Sequence, residues 1–169
     1  MLGAQFYSYS LTLINKIGMI YLAADHRGFA LKEELKNYLI ASGYAVEDVG
    51  AFGYDKNDDY VDFAEMASEK IMADVSTNRG IFVCGSGHGM DIVANKHKGL
   101  LAARCGSIEC AVQSREHGNS NVLTLGADML DAEQAKKIVE IWLKTPFSRE
   151  ERHARRLKKI REIEEKNFK

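Results

Sequence analysis

Short apolar runs alternate with amphipathic segments along most of the chain. MIYLAA (19–24), YAVEDVG (44–50), GIFVCG (80–85), LLAARC (100–105) and NVLTLG (121–126) read as five strands. GIFVCG is apolar almost without a break, as a strand covered on both faces should be. FALKEELKNYLIAS (29–42) carries apolar residues at 31, 35, 38 and 39, which is helical spacing, and Gly43 can end that helix. VDFAEMASEKIMADV (61–75), MDIVANKH (90–97), IECAVQSREH (108–117) and AEQAKKIVEIWLKT (132–145) read as further helices, the last stopped near Pro146. FGYDKNDD (52–59) is a polar loop, and from Ser148 onward the chain reads as a charged final helix. Strand and helix alternate five times with short connections. That predicts an α/β domain whose five-stranded parallel sheet carries helices on both faces, because parallel strands need crossovers.

Composition narrows the classes. A chain of 169 residues is one domain's worth, and 46% apolar with 28% charged residues suits a soluble globular protein. Lys+Arg is 23 against Asp+Glu 24, a net charge of -1, which argues against a nucleic-acid partner. No run approaches 18 uninterrupted apolar residues, so no membrane span is expected. Cys84, Cys105 and Cys110 are too few and odd in number for a disulfide scaffold; they read as free thiols in a reducing, cytoplasmic compartment. Neither CxxC nor HxxxH occurs, so no metal-ligand pattern is present. Residues 1–18 lack the basic and apolar regions of a signal peptide and read as an extra segment, mobile or non-native, ahead of a single domain at 19–169.

In such folds ligands bind beyond the C-terminal strand ends, near a switch in strand order. The polar segments there are Asp25–Gly28, Cys84–Gly89 and Gly106–Ser107. Cys84-Gly85-Ser86-Gly87-His88-Gly89 is the strongest signal: alternate glycines let the backbone turn its amides toward an anion, and a positive potential favours a thiolate. Cys84 is then a nucleophile, a carbon-acid base, or a buried cysteine before a turn. Asp25, His26 and Arg27 are either substrate contacts or a helix entry with Asp25 as its cap. His117 is a general acid/base, or a helix-end histidine set against the dipole. Arg152 and Arg156, four apart, either close together on one phosphate or belong to a solvated charged face. Trp142 fits core or interface.

Taken together, AADHRGF (23–29), Tyr60–Asp62, GIFVCGSGHGMDIVANK (80–96), SREH…NVLTLGA (114–127), IVEIWLKTPF (138–147) and RHARR (152–156) resemble the ribose-5-phosphate isomerase B family and its galactose-6-phosphate isomerase relatives. The resemblance runs from Met19 to the C-terminus. It implies a Rossmann-like three-layer sandwich, a homodimer or tetramer, no metal or organic cofactor, and interconversion of an aldose phosphate with a ketose phosphate, ribose 5-phosphate first. By position it implies that Cys84 is the base and His117 opens the sugar ring. Asp25, His26 and Tyr60 fall at substrate-binding positions. Gly85, Ser86, Gly87, His88 and Gly89 match the anion hole, and Arg152 and Arg156 the phosphate ligands.

The chain also departs from that family. Gly118 stands where Asn is usual after the histidine, Asp128 where an arginine commonly reaches a phosphate, His88 where a small or aliphatic residue is usual, and Val61 where Pro is usual. The departures cluster on substrate-contacting positions. They leave open a four- or six-carbon sugar phosphate as substrate, or a non-catalytic binding protein on the same scaffold.

Overall fold

The computed structural model describes residues 17–168. The expectation for the leading segment falls, apart from Ile17 and Gly18, outside those residues. Five strands and six helices alternate: β1 Ile20–Ala24, α1 Phe29–Ala41, β2 Val46–Gly50, α2 Tyr60–Met72, β3 Arg79–Cys84, α3 His88–Ala94, β4 Ala102–Arg104, α4 Ile108–Glu116, β5 Val122–Gly126, α5 Ala132–Lys144 and α6 Glu151–Asn167. All pairings are parallel, in the order β2-β1-β3-β5-β4.

The two-residue period of each strand divides the core into two layers. Ile20, Leu22, Ala24, Ile81, Val83, Leu123 and Leu125 pack with Leu31, Leu35 and Leu39 of α1 and with Ala135, Ile138, Val139 and Trp142 of α5. Ala23, Phe82, Cys84 and Val122 face the other way, onto Ala64, Ala67 and Ile71 of α2 and Met90 and Ala94 of α3. β3 and β5, with helices over both faces, are almost wholly buried.

The edge strands are shorter than their apolar runs suggest, β4 having three residues, because pairing on one side leaves their ends open to solvent. α3 starts at His88, two residues before the predicted start, so His88 and Gly89 form its first turn instead of loop. Gly87 precedes it with φ +82, a left-handed conformation that favours glycine; a Cβ there would also crowd Leu125 and Arg104. α2 begins at Tyr60 behind Asp59, whose side chain accepts from Val61 N–H.

Burial is not confined to apolar residues. Lys32 is fully buried, its Nζ donating at 2.6 Å to both Asp48 oxygens. Trp142 is core, its indole N–H donating to Ser120 Oγ at 2.9 Å.

Candidate active site

From β3 the sheet extends through β1 to β2 on one side and through β5 to β4 on the other. The loops after β1 and β3 diverge between them, at the switch in strand order. There the structure gathers Asp25, His26, Tyr60, Cys84 and Gly85–Gly89.

Cys84 ends β3 opposite Gly126 of β5. Its side chain is 4% exposed, and Sγ accepts the Gly87 N–H at 3.2 Å. The loop is pinned from β5: Ala127 N–H donates to Cys84 O at 2.9 Å and Asp128 N–H to Gly85 O at 3.0 Å. Arg104 adds a third tie, its Nε donating to Ser86 O at 3.0 Å. His88 N–H donates to Ser86 Oγ at 3.4 Å.

Side chains lie close against two glycines there. A Cβ on Gly85 would lie 2.4 Å from Arg27 Cζ, and one on Gly89 2.6 Å from the Tyr60 ring. Arg27 and Tyr60 therefore lie directly on the loop backbone. Arg27 also donates to the Asp128 carboxylate. Asp25 is buried, and its Oδ1 accepts from Arg27 N–H at 3.0 Å and Gly28 N–H at 2.9 Å. It thus holds the turn leading into α1, one step before the helical amides that a cap would take. His26 meets Asp58 through its ring Nδ1 at 2.6 Å.

His117 does not join this group. α4 runs back from the C-terminal to the N-terminal end of the sheet, so His117, at its end, lies beside the start of β5. The strand between, Val122–Gly126, spans about 13 Å. There His117 lines a cleft of about 620 Å³ with Gly118, His153 and Arg156. The His117 and His153 rings stack with centroids 4.4 Å apart. His153 Nδ1 lies 2.9 Å from Ser148 Oγ. Burial, and then the neighbouring His117, hold the His153 imidazole below the usual histidine value. Arg156 joins this cleft, whereas the exposed Arg152 pairs with Glu150 at 2.8 Å.

Buried Arg115 shapes the turn after His117. It donates to Thr145 O at 3.2 Å, to Asn119 Oδ1 at 3.2 Å and to Ser120 O. Burial pushes its guanidinium down to about 10. Burial likewise pushes the Cys105 thiol up, which keeps it a neutral packing group.

Three participants escaped the sequence reading. Asp58 has no local signal beyond the acidic pair before α2, since its partner lies 32 residues earlier. Arg104 and the pairing of Arg27 with Asp128 depend on contacts between strand ends distant in sequence. Among the described residues no group of three or more His, Cys, Asp or Glu could hold a metal ion, and no helix is long and apolar enough to cross a membrane.

Residues 20–160 match the model of the ribose/galactose isomerase family. The chain is 39% identical over 145 residues to ribose-5-phosphate isomerase B of Mycolicibacterium paratuberculosis, covering 86% of this chain and 91% of that one. It is 35% identical over 147 residues to the Escherichia coli protein of that name, covering 87% and 97%. The crystal structure of ribose-5-phosphate isomerase B from Mycoplasma genitalium with bound ribulose-5-phosphate superposes with a TM-score of 0.84 at 38% identity, over 87% of this chain and 96% of that one. The Clostridium thermocellum enzyme gives 0.83 at 40%, over 88% and 99%. A five-stranded parallel sheet, a glycine loop closing β3 and similarity over nearly the whole length agree: the chain belongs to the ribose/galactose isomerase family and is an aldose–ketose isomerase acting on a sugar phosphate.

Proposed function

We propose that the chain interconverts ribose 5-phosphate and ribulose 5-phosphate through an enediolate, with Cys84 as the base. The observation that carries this reading is Cys84 Sγ at the switch point, facing the Gly87 N–H at the head of the glycine loop. A base there removes the C2 proton of the open-chain aldose, giving an enediolate whose negative charge rests on O1. The base returns that proton to C1, and the O2 proton passes to O1 as C2 becomes the carbonyl, so no proton is gained or lost overall. Amides of the Gly85–Gly89 segment stabilise the developing oxyanion. The M. genitalium relative holding ribulose-5-phosphate supports the choice of sugar.

The site is completed by a second copy of the chain. Cys84 and His117 lie toward opposite ends of one sheet, and ring opening must occur where the proton is transferred. His117, Arg156 and Arg152 of one copy would therefore serve the Cys84 loop of another, as ring opener and phosphate ligands. Arginine binding of the remote phosphate positions the reacting carbons. The three free cysteines suit a reducing, cytoplasmic setting.

A coupled assay over four-, five- and six-carbon aldose phosphates tests the reading. Ribose 5-phosphate should give the highest kcat/KM, and Cys84→Ala should lower kcat at least about a hundredfold. Preference for another sugar overturns the substrate, and near-normal turnover of Cys84→Ala overturns the base.

A further inference from the structure

Two loops kept far apart in sequence meet on the β1 side of the glycine loop. Asp58 Oδ1 accepts twice from His26: from its backbone N–H at 3.0 Å and from ring Nδ1 at 2.6 Å. The Asp58 side chain is 9% exposed, and its Oδ2 is buried with no partner among the described residues. The Tyr54 ring meets the imidazole edge to face, centroids 5.9 Å apart. His26 Nε2 has no protein partner among the described residues, and the ring keeps 22% of its side chain exposed.

The loop that carries Asp58 does not need this carboxylate for its own fold. Asp59, not Asp58, caps α2. The turn before it closes through backbone, Asp58 N–H donating to Asp55 O at 3.0 Å. Burying a carboxylate is unfavourable unless donors compensate it, and here both donors belong to His26. An unprotonated Nδ1 would oppose lone pair to lone pair at 2.6 Å, so Nδ1 carries a hydrogen. That fixes Nε2 as the nitrogen left free for chemistry.

We propose that Asp58 is a positioning residue of the isomerase site, holding the His26 ring with Nδ1–H turned inward and Nε2 presented to a substrate oxygen. The proposal rests on the reading that the loops after β1 and β3 hold the sugar phosphate. Nε2 accepts a sugar hydroxyl when the ring is neutral and donates to an anionic oxygen when it is protonated. Asp58 itself touches no substrate; it acts by fixing the direction and tautomer of His26, as outer carboxylates do behind metal-bound and catalytic histidines.

The first test does not depend on activity. Nitrogen-15 NMR of the full-length protein, with His26 assigned through His26→Ala, should show the neutral ring protonated at Nδ1. In Asp58→Ala the proton should move to Nε2. A wild-type ring protonated at Nε2 overturns the proposal, whatever the substrate proves to be. The second test is a double-mutant cycle on kcat/KM for the best sugar phosphate. Asp58→Ala alone should lower it about tenfold to a hundredfold. In the His26→Ala background it should lower it less than about threefold, because only the bond to the residue 26 backbone N–H is then left to lose. Losses that multiply in full would mean that Asp58 acts on the fold generally, and would overturn the proposal. A wild type inactive on every sugar phosphate would sink the isomerase substrate while leaving the NMR result to stand by itself.

Discussion

The Arg27 guanidinium and the Asp128 carboxylate pair across the glycine loop, joining the exit of β1 to the exit of β5. From sequence alone, Asp128 reads as a carboxylate at a position expected to meet a phosphate. In the fold the charge is answered within the same chain. Arg27 lies on Gly85, and Asp128 N–H is bonded to Gly85 O, so the pair is attached to the segment it spans. Both side chains are about half exposed, so the pair contributes at most about 1 kcal/mol to stability.

This arrangement predicts the outcome of restoring an arginine. Asp128→Arg sets two guanidiniums against each other at the loop. The KM for ribose 5-phosphate should stay level or rise, and adding Arg27→Ala should relieve any rise. Steady-state kinetics on the three variants checks this; a tenfold fall in KM for Asp128→Arg alone would show that a phosphate reaches position 128.

The separation of Cys84 from His117 predicts complementation. Cys84→Ala and His117→Ala should each be nearly inactive on ribose 5-phosphate. Coexpressed, they should form mixed dimers in which one site has both residues intact. Random pairing then returns about a quarter of wild-type activity. No recovery, with mixed dimers verified by mass spectrometry, would confine the site to one copy.

His117→Ala should damage turnover of sugars that form rings far more than turnover of a four-carbon aldose phosphate that cannot. Comparing kcat on the two classes decides this, and equal losses would remove the ring-opening role.

His153 predicts a pH dependence of stability. Its imidazole is held below the ordinary value near 6.5, so the folded state binds that proton less readily than the unfolded state. Stability contributed by the neutral ring is complete above about pH 6.5 and declines as pH falls toward the folded value. Thermal unfolding from pH 8 to 5.5 should show Tm falling, and His153→Gln should flatten that slope.

Gly87→Ala should destabilise the fold by about 1–2 kcal/mol, because a side chain is disfavoured at φ +82. Urea unfolding measures the loss. Activity should fall further than stability, since the Gly87 N–H faces Cys84 Sγ.

The sequence by itself determined the alternation of strands and helices and the two faces of each central strand. It also marked the glycine turn at Gly87. These are properties of near neighbours, written in periods of two and 3.6 residues and in the freedom of glycine at positive φ. It even held the position of His117: a helix between parallel strands must run back, so a residue at its end starts the next strand, far from Cys84. Only the tertiary structure decided that β5 enters between β3 and β4, which sets Gly126 beside Cys84 and Asp128 beside Arg27. It alone buried Lys32 against Asp48 and His153 against His117. It alone joined His26 to Asp58. The physical reason is common to all three. A polar side chain enters the interior when a partner from another segment compensates its lost water, and no local pattern names a partner that distant in the chain.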